Sequence, residues 1–346
     1  MENRVLKGIY SESKINSTNS DAFMSLMKKD VLVTGAAGFI GSHLVEKLVE
    51  IGQTTIGYDV FNDYYNPRQK EQNLSKVMDN GSFHLIRGDI RDKKLVRKTF
   101  QDWNIGAVIH LAAMVGVRNS MVNPEIYTSV NVGGTGVLLE VSIKHGIDNF
   151  ILASSSSVYG ERKNVPFRET DFTDTPSSIY AATKKAAEIL AHSYHSLYGT
   201  PIACLRFFTV YGPRGRPDQA PMKFIHRISN DITIQQYGDG SSSRDYTYVS
   251  DIVNGITNAM KASYEFDIFN LGNSVPIKLV DFIKAIENQV GKSARIEKLP
   301  SQPGDVSQTL ADIEKSKRII GYNPKISFEE GLKRTIEWYR KTKPKL

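Results

Sequence analysis

The chain has 346 residues, a formal net charge of +7 and 40% hydrophobic residues, with a pI near 9.2 and a mean hydropathy of −0.31. That is room for one large domain or two smaller ones around a sizeable core, and no apolar run approaches the ~20 residues of a membrane helix. The single cysteine, Cys204, excludes an internal disulfide framework, and without CxxC or HExxH no Cys/His zinc site is expected. The charge could suit an anionic substrate or nucleic acid. Lys and Arg are scattered among acids, however, and the one dense cluster is the terminal RKTKPKL, which reads as a solvated tail. A cytoplasmic protein with no nucleic-acid partner and no membrane partner is expected.

Residues 1–28 are polar, rich in Ser and Asn, and read as an extension with no secretory-signal core. From Asp30 a regular alternation begins. VLVTG (31–35) reads as a strand and IGSHLVEKLVE as its helix. Further strands are expected at TTIGYD (54–59), FHLIRGD (83–89), AVIHLAA (107–113), FILASS (150–155) and PIACLRFF (201–208), and helices near 92–102, 124–145 and 178–198. Buried strands alternating with helices predict an α/β fold with a doubly wound parallel sheet. After residue 210 the pattern loosens, and helices recur at about 249–261, 277–290 and 327–341. The expected organisation is a dinucleotide-binding domain over 29–210, with returning segments around 245–275, and a smaller mixed α/β substrate domain over 211–346.

VTGAAGFIG places Gly35, Gly38 and Gly41 at the turn between the first strand and its helix. Glycines there allow a tight turn, backbone approach to a pyrophosphate and close helix–strand packing. Asp59, at the tip of the second strand and 24 residues after Gly35, suits a ribose 2′-hydroxyl, and its charge favours NAD over NADP. GKS at 291–293 is not a phosphate loop, because the required earlier glycine is Ile286.

Four tyrosines are followed four residues later by lysine: Tyr10, Tyr159, Tyr180 and Tyr339. Only Tyr180, in YAATK, opens a convincing helix just beyond the carboxyl ends of the strands, where ligands bind in open α/β sheets. Residues four apart share a helix face, so Lys184 is expected beside Tyr180, lowering the phenol pKa.

These motifs resemble the extended short-chain dehydrogenase/reductases acting on nucleotide sugars. GxxGxxG, Asp59, GDI (88–90), HLAA (110–113), Asn131, SSSSVYG (154–160), YxxxK and SRDYTYVSDI (243–252) occur in the family's order, from Val31 to the C-terminal helix. The resemblance implies a Rossmann fold and an NAD site formed by Gly35, Gly38, Phe39, Ile40, Gly41, Asp59, Asp89, Ile90, Leu111, Ala112, Ala113 and Asn131, together with Tyr180 and Lys184. It implies Tyr180 as base, Lys184 on the nicotinamide ribose, Ser155 on the reacting hydroxyl, Arg244 on the substrate diphosphate, and a homodimer. Ser156 and Ser157 stand where dehydratase relatives carry an Asp-Glu pair, so dehydration is disfavoured. FFTVYGPRGRPD (207–218), NDYY (62–65) and QPGDV (302–306) look like the UDP-glucuronate 4-epimerases.

Ser156, Ser157, Thr209 and Arg216 are then candidates for the uronate carboxylate. Thr209 could instead pack against the nicotinamide, and Arg216 could be a solvated loop residue. Arg118 suits a diphosphate or carboxylate contact and suits a plain surface arginine equally well. Gln302 stands about where relatives place a diphosphate-binding arginine. Other readings are a UDP-glucose or UDP-N-acetylhexosamine 4-epimerase, a UDP-glucuronate decarboxylase, and a non-catalytic NAD or nucleotide-sugar sensor.

Overall fold

The computed structural model describes residues 28–301 and 306–344. The expected extension as far as Met27, and Gln302 with the segment through 305, lie outside the described residues. In chain order the strands are β1 (Asp30–Thr34), β2 (Thr55–Asp59), β3 (Phe83–Arg87), β4 (Ile105–His110), β5 (Asn149–Ser155), β6 (Ile202–Phe207), β7 (Thr209–Tyr211), β8 (Ile234–Tyr237), β9 (Ser243–Tyr248), β10 (Phe266–Leu271), β11 (Pro276–Lys278) and β12 (Ile296–Leu299).

Seven of them form one sheet in the order β10-β6-β5-β4-β1-β2-β3, with every neighbouring pair parallel. Strands buried on both faces need apolar residues at every position, and successive side chains go to opposite faces. Val31 and Val33 accordingly join one core cluster and Leu32 the other. The order reverses between β1 and β4, and that switch point places a crevice beyond their carboxyl ends. Residues after 207 add a three-stranded sheet, β11-β9-β7, and a parallel pair, β12-β8. Among the described residues no helix is long and apolar enough to cross a membrane.

Several helices start at side-chain caps. Asp92 accepts from the amides of Lys94 and Leu95 to open Lys93–Asp102, and Ser178 accepts from Ala181 to open Ile179–Tyr198. Two expectations change. The strand expected over 107–113 ends at His110, where the chain turns into the crevice. The helix expected over 124–145 breaks into Pro124–Tyr127, a π-helical stretch Thr128–Gly134, and Thr135–Lys144. Helices Pro67–Leu74, Val117–Val122, Ala220–Ser229 and Glu314–Ile320 were not among those expected.

Beneath the Ile179–Tyr198 helix lies a buried ion pair. Arg206 of β6 meets Glu188 through two bonds, Nε to Oε1 at 2.9 Å and Nη2 to Oε2 at 2.8 Å, with side chains 1% and 2% exposed. Ser154 of β5 donates to the same carboxylate at 2.5 Å, and the guanidinium lies over the Tyr159 ring at 4.8 Å. Tyr159 donates to Asn270 Oδ1 of β10 at 2.6 Å. Glu188→Gln strands the Arg206 charge and is expected to cost about 3–5 kcal/mol, read as a lower unfolding midpoint in urea. Replacing both residues with methionine removes the charges together and should cost clearly less. A double variant as unstable as the single one would show that the cost lies in packing rather than charge.

Candidate active site

The glycine turn is set by close approach. Gly35 has φ +70°, and a Cβ there would stand 2.8 Å from Ala112 N. A Cβ on Gly41 would stand 2.1 Å from Gly35 O. Both glycines are therefore fixed by packing. Gly38 is less crowded but still tight, since a Cβ there would stand 3.1 Å from Gly35 O, and the residue lines the crevice. The helix Phe39–Glu50 opens from Gly38 with no side-chain cap, so its first amides face the crevice with a positive dipole end.

The crevice is a cleft of about 630 Å³. It brings together Gly35, Gly38, Phe39, Ile40, Gly41, Asp59, Asp89, Ile90, Leu111, Ala112, Ala113, Ser155, Tyr180 and Lys184, and with them Ser156, Ser157, Thr209 and Arg216. Three expected residues do not line it. Asn131, in the π-helical stretch, accepts from Met114 N at 2.7 Å and donates to Met114 O at 2.9 Å and Thr183 Oγ1 at 3.0 Å. It fastens the loop after β4 to the Tyr180 helix. Arg118 lies over the Tyr237 ring at 4.3 Å, and Arg244 donates to Ser243 O at 2.9 Å and Ser307 O at 3.4 Å.

Asp59 is buried and accepts from Ala37 N at 3.1 Å and Phe61 N at 2.9 Å. It thus braces the glycine turn. Lys70 Nζ stands 3.4 Å from its Oδ1, so the charge attributed to Asp59 alone is offset by a neighbour. Lys70, Met114 and Gln219 also line the cleft and were missed, and Asn62, Tyr64 and Tyr65, noted only as part of NDYY, line it as well. A signal existed for Lys70: Asn66 followed by Pro67 is a helix start, and Asn66 accepts from Arg68 N at 3.1 Å. Asp89 is bound by Arg91, whose hydrogen bond holds the carboxyl below its usual range.

Tyr180 sits in the first turn of its helix, its amide donating to Ser120 Oγ at 3.1 Å. The expectation that Lys184 dominates its ionisation changes here. Lys184 Nζ reaches down to Ala153 O at the end of β5, at 2.8 Å, and the cation acting on the phenol is Arg216. Burial raises the phenol pKa above its ordinary value, while a hydrogen bond with Ser155 and the Arg216 charge pull it down. Burial likewise lowers Lys184 to about 8, against the opposing charge of Glu188. Arg216 is itself held by Asp218 through two bonds of 3.0 Å.

The family model described as GDP-mannose 4,6 dehydratase matches residues 32–335. The chain is an extended short-chain dehydrogenase/reductase. Within these enzymes it is 42% identical to a UDP-glucuronate 4-epimerase of Thermodesulfobacterium geofontis, over 89% of this chain and 95% of that one. A crystal structure of UDP-glucuronic acid 4-epimerase from Bacillus cereus, in complex with UDP-glucuronic acid and NAD, superposes with a TM-score of 0.86 at 37% identity, covering 90% of this chain and 99% of that one. UDP-glucose 4-epimerase from Thermotoga maritima, with UDP-glucose, gives 0.85 at 33%, covering 91% and 100%.

In the protein without ligands, Tyr180 is expected to ionise above the ordinary phenol range, and Ser155→Ala to push it higher still. An ultraviolet difference titration of each form against its Tyr180→Phe counterpart reads this directly. A Tyr180 that ionised below the ordinary range would show that burial does not govern it.

Proposed function

We propose that this chain is an NAD-dependent UDP-sugar 4-epimerase, and that its substrate is UDP-glucuronate, interconverted with UDP-galacturonate. The observation that carries the sugar assignment is one group of cleft-lining residues. Ser156, Ser157, Thr209 and Arg216, three hydroxyls and a guanidinium, line the same cleft as Tyr180 and Ser155. The similarity to UDP-glucuronate 4-epimerases supports the same reading.

The residues present fit NAD. Gly38 lines the cleft, and its missing side chain leaves room for a pyrophosphate at the uncapped helix end. Asp59 and Lys70 would hold the adenosine ribose, and Lys184 the nicotinamide ribose. When bound, NAD supplies the reversible hydride acceptor for C4 and a positively charged ring.

Tyr180 takes the proton from the C4 hydroxyl and returns it to the C4 oxygen, with Ser155 hydrogen-bonding the same oxygen. A buried phenol is a weak base until more positive charge reaches it, so Tyr180 is restrained in the ligand-free protein and activated only in the assembled site. Between the two proton transfers the 4-keto sugar must present its other face. A 4-keto uronate is also a β-keto acid, which loses carbon dioxide when its C5–carboxylate bond aligns with the carbonyl π system. Hydrogen bonds to a charged group contribute about 1.5–3 kcal/mol each. Ser156, Ser157 and Thr209, with Arg216, would hold the carboxylate out of that alignment.

UDP-glucose is the second reading, because Asp218 already offsets the Arg216 charge. Proton NMR of the NAD-loaded enzyme with each sugar nucleotide separates the two. Conversion of UDP-glucuronate to its galacto epimer, with UDP-glucose untouched, is expected. Epimerised UDP-glucose beside an inert uronate would overturn the assignment. Tyr180→Phe should lose about 10²–10⁴-fold in kcat without loss of bound NAD, and unchanged turnover would remove Tyr180 from the chemistry. In Ser157→Ala/Thr209→Val, a UDP-pentose product is expected beside the epimer.

A further inference from the structure

The loop that carries Arg216 is fastened at both ends. At its far end Asp218 holds Arg216, and the Tyr64 hydroxyl lies 3.2 Å from Asp218 Oδ2 and 3.0 Å from Val115 O. At its near end stands Arg214, buried and with φ +64°. Glycine adopts this left-handed backbone without strain, and arginine rarely does. The side chain must therefore offset a local backbone cost.

Its contacts show how. Arg214 Nη2 meets Glu46 Oε1 at 2.6 Å, and Nη1 donates to Asn73 O at 3.2 Å. Glu46 belongs to the helix that springs from the glycine turn. Asn73 belongs to Pro67–Leu74, the helix of Lys70, and its own amide donates to Ala37 O inside the glycine turn at 3.0 Å. The neighbouring Pro213 carbonyl lies 2.9 Å from His43 Nε2, one turn before Glu46. Burial and the Arg214 charge push His43 down to about 4, so the ring is neutral at pH 7. Because a carbonyl can only accept, Nε2 carries the hydrogen.

We propose that Arg214 is a positioning residue that registers the sugar-facing loop against the cofactor-facing helix, so that Arg216 is held at the cleft by the elements that build the glycine turn. The proposal rests on the reading of Arg216 as sugar-facing, and Arg214 itself lies outside the cleft lining. It implies that the sugar end of the substrate, and not its nucleotide end, senses the tether.

The test uses the NAD-loaded enzyme and the variants Arg214→Gly, Arg214→Asn, Arg214→Lys and Glu46→Gln. Glycine and asparagine both tolerate the left-handed backbone and both remove the guanidinium fork, so a loss common to them belongs to the side chain. Titration calorimetry gives the Kd for UDP-glucuronate and for UDP, and kinetics separate KM from kcat. Arg214→Gly and Arg214→Asn are expected to weaken UDP-glucuronate about tenfold in Kd and KM, the scale of coupling between two sites, with UDP affinity and bound NAD unchanged. Arg214→Lys should recover part of the loss, and Glu46→Gln should show a smaller loss of the same kind.

Wild-type affinity for UDP-glucuronate in both Arg214→Gly and Arg214→Asn would overturn the proposal. So would a parallel fall in UDP affinity, because the whole site would then be disturbed. If the Arg214 variants do not fold, Glu46→Gln carries the comparison, since Glu46 is only partly buried. A wild-type enzyme that ignores UDP-glucuronate overturns the substrate assignment instead, and the same variants are then compared on the UDP-hexose it does bind.

Discussion

The buried pair between Glu188 and Arg206 is the constraint on which the cleft depends. It ties the helix of Tyr180 and Lys184 to the middle of the sheet, one helical turn below the ammonium of Lys184. Two charges removed from water are tolerable only when both are fully hydrogen-bonded, and here Ser154, Tyr159 and Asn270 complete the set. Those partners come from β5, the turn after it, and β10. The height and rotation of the Tyr180 helix are thus fixed by polar geometry, where apolar packing alone would tolerate small slides.

Above that pair, burial and charge act against each other. The cleft shields Tyr180 and Lys184 enough to disfavour the ionised form of each. The compensating groups are few: Ser155 and Arg216 for the phenol, Glu188 for the ammonium. A site arranged this way has low basicity by itself and gains it only as further positive charge reaches the phenol. That protects a sugar ring from unwanted proton abstraction until every partner is present.

Much of this was legible in the sequence where the signal was local. The glycine turn, the tip of β2 and the Tyr180 helix were readable because spacing, strand ends and caps lie within a few residues of one another. The π-helical stretch was not, because Asn131 finds its partners at Met114 and Thr183, remote in sequence. Arg214 beside Glu46 escaped for the same reason, whereas Lys70 beside Asp59 had a local signal in the Asn66–Pro67 helix start. Arg244 was placed by motif order and Arg118 by its position after the fourth strand, neither of which says anything about side-chain direction. The broad helices after residue 210 were readable from periodicity, whereas the short strands β7, β8, β11 and β12 each have four residues or fewer, too few to establish a period of two.

The outermost strand of the large sheet has a consequence for synthesis. β10 contains Asn270, which receives the Tyr159 hydroxyl and whose own side chain donates to Phe167 O and Asp312 O. On the ribosome, β5 and β6 emerge well before residue 270, and at ordinary elongation rates of about 5–20 residues per second the interval lasts several seconds. Throughout that interval the nascent sheet has an open edge at β6 and an incomplete polar network beneath it. The N-terminal half, although it carries the glycine turn and the Tyr180 helix, therefore cannot complete this polar network during its own synthesis. Its last polar contacts close only when the later half of the chain arrives.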